Sequence, residues 1–169
     1  ALIDLYNATD GPNWPLGANA TWNNPAPLST WTNVRVDNGH VVSVVLGTFG
    51  ITGTLPASLT DLTFLEIADF RSCNLSGEVP DLSSISTLEK FDISNNKFSF
   101  GDLETHFTNN STIPDFRYNP QSNIDDEITF EPVLGTDYTL SLTPDTGSNV
   151  SYQWFKAPST ELGGETASP

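Results

Sequence analysis

Two aspartates are the residues of this sequence whose type and spacing best fit catalytic chemistry. Asp69 and Asp92 each lie between two apolar residues of a short stretch with period two, ADF at 68–70 and FDI at 91–93. On neighbouring strands, such side chains point out from the same face about 5 Å apart. Paired carboxylates at that distance can carry out acid–base catalysis, so this pair is the first candidate for a catalytic site.

Three cations close to the pair change its interpretation. Arg71, Lys90 and Arg117 fall on the same predicted face, and they are half of the six Lys and Arg residues in a chain with 21 acidic residues. Charge compensation on a solvated sheet explains such a cluster better than catalysis does. A gathering of cations in a strongly acidic chain also predicts a recognition surface. Its candidate ligand-binding residues are Asp69, Arg71, Lys90, Asp92 and Arg117.

Other catalytic signatures are missing from the sequence. The two histidines, His40 and His106, stand far apart, and no Gly-x-Ser-x-Gly, His-Glu-x-x-His, Cys-x-x-Cys or phosphate-binding glycine loop occurs. We therefore expect a protein without enzymatic activity and without a cofactor. The acidic run 125–127 (Asp125, Asp126, Glu127) is a weak candidate for a structural Ca²⁺ site, but it lacks the alternating spacing of a calcium loop, which favours a solvated hinge.

Charge and composition exclude several classes of partner. The formal net charge is −15 and the pI is near 4.1, so the chain has no basic footprint for nucleic acid and is repelled by anionic membranes. The longest nearly apolar run, VVSVVL at 41–46, is far too short to span a bilayer. Abundant Asn, Thr, Ser, Asp and Gly with few charged residues overall indicates an extracellular or cell-surface protein.

The candidate residues are positioned by a sequence repeat. Segments 44–56 and 68–80 share the pattern apolar-x-apolar-x-x-z-x-apolar-x-Gly-x-apolar-Pro. Segment 91–98 keeps its spacing without Gly and Pro, and segment 113–121 is a degenerate fourth unit. Equivalent positions are 24, 23 and 25 residues apart. Between the units, apolar residues recur every three positions, at Leu59, Leu62 and Leu65 and again at Leu82, Ile85 and Leu88.

This repeat predicts a solenoid. The apolar residues two positions apart point into a core from a short strand, and the spaced leucines line a return segment of helical or 3₁₀ character. One such turn cannot bury its own apolar face, so successive turns stack. Gly53 and Gly77 then mark a tight corner, and Pro56 and Pro80 stop the strand from continuing.

The pattern resembles the 24-residue L-x-G-x-[IL]-P leucine-rich repeats of plant receptor ectodomains and of bacterial and algal surface proteins. The resemblance implies an α/β solenoid, a right-handed coil with a parallel β-sheet on its concave face, and ligand binding by that face. It also implies that position z is usually Asn, whose amide bonds the backbone of the turn. Here z is Phe49, Cys73, Asn96 and Gln121, so Phe49 departs from the pattern and leaves the first turn without that amide. Cys73 is then structural, and Phe49 suggests contact with whatever covers the first turn.

Residues 1–38 resemble the N-terminal cap of the same repeats. Leu2, Leu5 and Tyr6 fit one face of a short helix, and three tryptophans (Trp14, Trp22 and Trp31) supply bulk. Packing of the cap is favoured over a sugar-stacking site. The cysteine pair of the plant cap is missing, which points to the bacterial and algal members. Residues 39–121 then hold about four repeats.

Residues 122–169 change to a pattern with period two. One predicted strand face is Tyr138, Leu140 and Leu142, and the next is Val150, Tyr152 and Trp154. The YQWFK stretch resembles a strand of an immunoglobulin-like domain, which takes roughly 100 residues. With about half that length, the chain is a fragment, or these antiparallel strands pack on the last repeat, or another chain completes the sheet.

The sequence as a whole predicts a non-catalytic extracellular module for recognition or adhesion, with a protein or peptide ligand on the concave face. The predicted face contains no Trp or Tyr, which argues against a glycan platform built on stacking. Two alternatives remain. The protein is a structural subunit of a surface filament or layer that self-assembles through its C-terminal strands, or it is an accessory module that binds polysaccharide.

Overall fold

The computed structural model of the chain describes residues 1–15, 17, 21–122, 155–156 and 160–161. The helices in these ranges are α1 (Leu2–Ala8), α2 (Phe100–Glu104) and α3 (Phe107–Asn110). The strands are β1 (Val34–Asp37), β2 (His40–Val45), β3 (Thr52–Gly53), β4 (Ile67–Asp69), β5 (Asn74–Leu75), β6 (Lys90–Asp92), β7 (Asp115–Arg117), β8 (Phe155–Lys156) and β9 (Thr160–Glu161). Short 3₁₀ turns occupy Gly11–Asn13, Leu28–Thr30 and Ala57–Asp61.

The main sheet has five strands in the order β1-β2-β4-β6-β7. The four strands from β2 to β7 run parallel, and β1 runs antiparallel along β2. The register puts Val44, Ala68, Phe91 and Phe116 in one row, and these residues lie in the apolar core or pack against it. They occupy equivalent positions of the four sequence units. The predicted stacking of repeats into one parallel sheet is therefore confirmed.

A second, two-stranded sheet joins the corners of the first two turns. Strand β3 pairs with β5 in parallel, and this pairing sets GITGTLP beside NLSGEVP. Gly53 has φ +100° and Gly77 has φ +79°, a region that favours glycine. A Cβ on Gly53 would lie 2.2 Å from the carbonyl oxygen of Ala8 at the end of α1. The first corner glycine therefore also lets the cap helix approach the solenoid.

The return segments differ from turn to turn. The 3₁₀ turn Ala57–Asp61 forms the first, and α2 and α3 form the third. The second has only isolated turns, in which the N–H of Ile85 donates to Leu82 and the N–H of Leu88 donates to Ile85. All three of these side chains are buried. Both bonds join residues three apart, as in a 3₁₀ helix, so this segment has the predicted 3₁₀ character in single turns rather than in a continuous helix.

The predicted polar ladder is present in the turns after β4 and β6. The Asn96 amide donates to the carbonyls of Phe70 and Ile93 at 2.9 and 3.0 Å. At the equivalent position, the Cys73 thiol donates to the carbonyl of Leu46 at 3.3 Å. Burial raises the pKa of this thiol, and backbone hydrogen bonds oppose that rise only in part. The buried Cys73 thus has the structural role that the resemblance implies.

The two ends of the ladder have different side chains. Gln121 extends the ladder by one turn, since its Oε1 accepts from the backbone N–H groups of Asn96 and Phe98 at 3.2 Å each. Phe49 replaces the polar side chain in the first turn, and it packs partly buried against the core. The suggested contact of Phe49 with the cap stays a prediction.

The cap packs its aromatic residues in a row. Tyr6 lies 5.3 Å from Trp14, Trp14 lies 5.0 Å from Trp22, and Trp22 lies 5.2 Å from Trp31, measured between ring centroids. The three indoles are buried, and their N–H groups donate to the carbonyls of Thr9, Thr32 and Ala26. Packing of the cap, rather than sugar stacking, is therefore the role of these tryptophans.

The predicted immunoglobulin-like strands at 138–142 and 150–154 lie outside the described residues. Beyond Ser122, the structure describes only the antiparallel pairing of β8 with β9. The immunoglobulin-like assignment stays a prediction, as do the right-handed coil and the boundaries 1–38, 39–121 and 122–169.

Candidate functional site

The candidate recognition residues gather on the polar face of the main sheet, defined by Ile67, Asp69, Lys90, Asp92, Asp115 and Arg117. Asp69 and Asp92 are register partners on β4 and β6, as the sequence predicts. Lys90 Nζ lies 2.7 Å from Asp69 Oδ2 and 3.5 Å from Asp92 Oδ2. One ammonium group therefore bridges two carboxylates across neighbouring strands.

Further donors complete the environment of each carboxylate. Asp69 accepts from the backbone N–H of Arg71 at 3.3 Å, and Arg71 Nη1 lies 3.4 Å from its other oxygen. Asp92 Oδ1 accepts from the hydroxyl and the backbone N–H of Ser94 at 2.7 and 3.2 Å. Several hydrogen-bond donors thus hold each carboxylate in a fixed position on the sheet.

The acidic side chains of this face are more deeply buried than the cationic ones. The side chains of Asp69 and Asp92 are only 5% and 1% exposed, whereas those of Arg71 and Lys90 are 46% and 22% exposed. The expectation of carboxylates on a solvated sheet is wrong, because the longer cationic side chains lie over the short acidic ones. Within this group, the charges presented to solvent are mainly positive.

Arg117 forms a separate pair at the last strand. Its Nε donates to Asp115 Oδ1 at 2.7 Å, and both side chains are exposed. The hydrogen bond and the charge of Arg117 lower the pKa of Asp115, and the same bond raises the pKa of Arg117. The structure places Arg117 on the predicted face, but it does not bring its guanidinium into the hydrogen-bonded cluster around Lys90.

Gly47 is a residue of this site that sequence reasoning missed. It lies buried beside the cluster, where an added Cβ would stand 2.6 Å from Asp69 Oδ1 and 2.9 Å from Arg71 Cγ. The absence of a side chain in the first turn thus leaves room for the acid and the arginine of the second. The signal in the sequence is that Gly47 occupies the repeat position of Arg71, one turn earlier.

A depression of about 420 Å³ opens beside Lys90 on the same face. Ile67, Lys90 and Asp115 line it from three adjacent strands, together with Glu89 and Pro114. Its lining combines an apolar side chain with charges of both signs. Its position beside Lys90 suits the binding of an extended ligand.

The histidines lie away from this cluster. His40 stacks on Phe64 with ring centroids 3.8 Å apart. His106 Nε2 lies 3.4 Å from Glu78 Oε1 and Nδ1 lies 4.0 Å from Asp81 Oδ2, beside a separate cleft. Among the described residues, no group of three His, Cys, Asp or Glu side chains is placed to hold a metal ion. The calcium candidates Asp125, Asp126 and Glu127 fall outside the described ranges.

Comparison with known proteins gives short stretches of similarity. No protein-family model matches the chain. The receptor-like kinase TMK4 of Arabidopsis thaliana is 25% identical over 77 residues, which cover 46% of this chain and 8% of that kinase. The chain thus spans a small part of this curated relative. Within the described ranges, no helix has the length and apolar character needed to cross a membrane.

Solved structures match the solenoid. The PEPR1–AtPEP1 crystal structure is 25% identical with a TM-score of 0.53, covering 62% of this chain and 16% of that chain. The BIR3–SERK2 complex from Arabidopsis thaliana is 23% identical with a TM-score of 0.48, covering 57% of this chain and 55% of that chain. Such neighbours are leucine-rich-repeat ectodomains of plants. The likeness to PEPR1 and the observed parallel sheet agree with the α/β solenoid of leucine-rich repeats.

Proposed function

We propose that this chain is a non-catalytic recognition module at the cell surface or outside the cell, and that the polar face of its main sheet binds a peptide or protein segment. The observation that supports the proposal is the difference in burial between the acidic and the cationic side chains of that face. Buried Asp69 and Asp92 hold two cationic side chains, of which Arg71 is exposed and Lys90 is half-buried.

This arrangement suits binding because the cations are held before the ligand arrives. Lys90 is tied to two carboxylates and Arg71 to one. Less side-chain entropy is then lost on binding than with unrestrained cations. The exposed charge favours a ligand segment that carries Asp, Glu or a free carboxylate, and the depression beside Lys90 accommodates an apolar neighbour of that group.

The comparisons support a peptide or protein partner. PEPR1, which shares the fold over 62% of this chain, is crystallised with AtPEP1. The similarity to a receptor-like kinase supports an extracellular or cell-surface location for the module. A platform for glycans receives no support from Trp14, Trp22 and Trp31, since these three side chains are buried in the cap.

The test is selection of a random dodecapeptide library on the immobilised full chain, followed by binding of the recovered peptides to Arg71→Ala and Lys97→Ala. Each substitution removes one exposed positive charge, and Lys97 follows the strand rather than lying in the cluster. We expect recovered peptides to be richer in acidic residues than the library and to lose binding to Arg71→Ala only. Equal binding to both variants, or no enrichment, overturns the proposal.

A further inference from the structure

Strand β2 gives the polar face of the main sheet an apolar border. Val45 is the register partner of Asp69, and its side chain is 36% exposed. Ser43, two positions earlier on the same side of β2, is buried, and Gly47 has no side chain. An uncharged apolar side chain is therefore what this strand presents to a ligand on the face.

The rest of the face is charged. Lys90 Nζ and Arg71 Nη1 lie 2.7 and 3.4 Å from the same oxygen, Asp69 Oδ2. At the far border, on β7, Arg117 and Asp115 bond to each other, so their charges largely balance. A ligand that crosses the strands from β2 to β7 thus meets an apolar side chain, then two cations and then a neutralised pair.

The spacing of the strands sets the distance between the apolar side chain and the cations. Neighbouring strands lie about 4.8 Å apart, so Val45 stands one spacing from Asp69 on β4 and two spacings from Lys90 on β6. A ligand carboxylate that contacts Arg71 and Lys90 therefore lies roughly 5–10 Å from Val45.

Only one spacing in an extended peptide suits that distance. Side chains two positions apart share a face and are about 6.8 Å apart. Side chains one position apart point to opposite faces, and those four positions apart are separated by about 13 Å. A carboxylate at the cations thus brings the side chain two positions away over Val45.

We propose that Val45 is a specificity-determining residue, which selects peptide segments with an apolar side chain two positions from the acidic one. This inference rests on the proposed function, because it specifies the sequence of the ligand that binds the same face. The apolar residue is expected on one side of the acid only, since the border at β7 presents Asp115 and Arg117 instead.

An exposed valine on a strand is ordinary by itself, because β-branched residues favour strands. The position of Val45 beside the cations is what gives it a role in selection. An apolar ligand side chain on Val45 removes apolar surface from water. It also excludes water from one side of the ion pair between the ligand and Arg71, which strengthens that pair.

The first measurement is the dodecapeptide selection on the immobilised full chain, repeated with Val45→Lys and Ile3→Lys. Both substitutions replace an exposed β-branched side chain with a cation, but Ile3 lies on α1 in the cap. With the recovered peptides aligned on their acidic residue, we expect apolar residues two positions away to be enriched at least about threefold by the native chain and by Ile3→Lys. Val45→Lys should not enrich them.

The second measurement uses Val45→Thr, a nearly isosteric change that suits a strand and decides the matter if Val45→Lys does not fold. One recovered peptide is compared with its variant that has Ala at the apolar position. We expect Ala to weaken binding about fivefold to the native chain and less than about twofold to Val45→Thr.

The outcomes separate this inference from the proposed function. Acidic peptides without the apolar preference, the same preference in Val45→Lys, or an equal loss in the native chain and Val45→Thr overturns the role of Val45 and leaves recognition of acidic peptides standing. No enrichment of acidic peptides on the native chain overturns both.

Discussion

Lys90 Nζ on β6 lies 2.7 Å from Asp69 Oδ2 on β4, and the carboxylate it meets is almost completely buried. The same nitrogen lies 3.5 Å from Asp92 on its own strand. This contact joins two successive turns and also fixes a cation at the surface. It therefore links the stability of the solenoid to the charge that the proposed binding face presents.

Replacing Lys90 with Met is expected to lower the free energy of unfolding by about 2 kcal/mol, because two buried carboxylates lose the charge between them. Urea denaturation measures the change. Lys97→Met is the matched control, since Lys97 is exposed, and it should change stability by less than about 0.5 kcal/mol. Equal effects of the two variants would contradict the bridging role of Lys90.

The two corner glycines should differ in their tolerance of a side chain. Both have positive φ, so Ala costs about 1–2 kcal/mol at either position. At Gly77 the new Cβ meets only Thr54 Cγ2 at 2.9 Å, a methyl group, whereas at Gly53 it meets backbone atoms of α1. We expect Gly53→Ala to destabilise by at least about 3 kcal/mol and clearly more than Gly77→Ala. Thermal unfolding of both variants gives the comparison, and the reverse order would refute this account of the corners.

The ladder residues Asn96 and Cys73 should also contribute unequally to the free energy of unfolding. Asn96→Ala removes an amide whose oxygen accepts from Leu75 and whose nitrogen donates to buried carbonyls, with an expected loss of about 2–4 kcal/mol. Cys73→Ala removes one weak sulfur donor and should cost about 1 kcal/mol. Guanidinium denaturation distinguishes the two losses. A smaller loss at Asn96 than at Cys73 would mean that the amide does not hold the turns together.

Asp81 gives a pH-dependent contribution to stability. Burial raises its pKa, but hydrogen bonds from Ser83 and Asn109 and the nearby His106 outweigh burial, so its pKa in the folded state is depressed. Such a group stabilises the fold above its ordinary pKa, and that stabilisation is lost as pH falls through the lower folded value. Asp81→Asn should therefore cost about 1 kcal/mol at neutral pH.

The cost of Asp81→Asn should shrink as the pH falls below about 4, because protonation then removes the same charge from the native chain. Chemical denaturation of both proteins at several pH values measures the difference. A difference that stays constant to the most acidic pH, or grows there, would show that the carboxylate charge is not what stabilises this turn.

Much of the fold follows from spacing alone. Equivalent apolar residues such as Val44, Ala68 and Phe91 repeat at nearly constant steps, and only stacked turns bury all of them. The short sheet of β3 and β5 and the turns around Ile85 could not be predicted in this way. Two-residue strands and single turns are set by contacts between neighbouring coils, and the period in the sequence fixes only which side chains these turns bury.

The sequence predicts which residues form the site, but it does not predict that the two carboxylates are buried. The alternation of apolar and polar residues along each strand correctly places Asp69 and Asp92 on one face. It cannot show that Lys90 and Arg71 cover them. Burial there depends on how long side chains fold over short ones, and on the space that Gly47 leaves. These are properties of the packed sheet, not of any single strand.

The most direct test of the account is the affinity of one library-selected acidic peptide for the native chain, Arg71→Ala and Lys97→Ala, measured by calorimetry at low ionic strength. We expect Arg71→Ala to weaken binding about tenfold, or about 1.4 kcal/mol, because an exposed charge-assisted hydrogen bond is lost. Lys97→Ala should bind like the native chain. Equal affinity for all three proteins would contradict recognition by the polar face of the sheet.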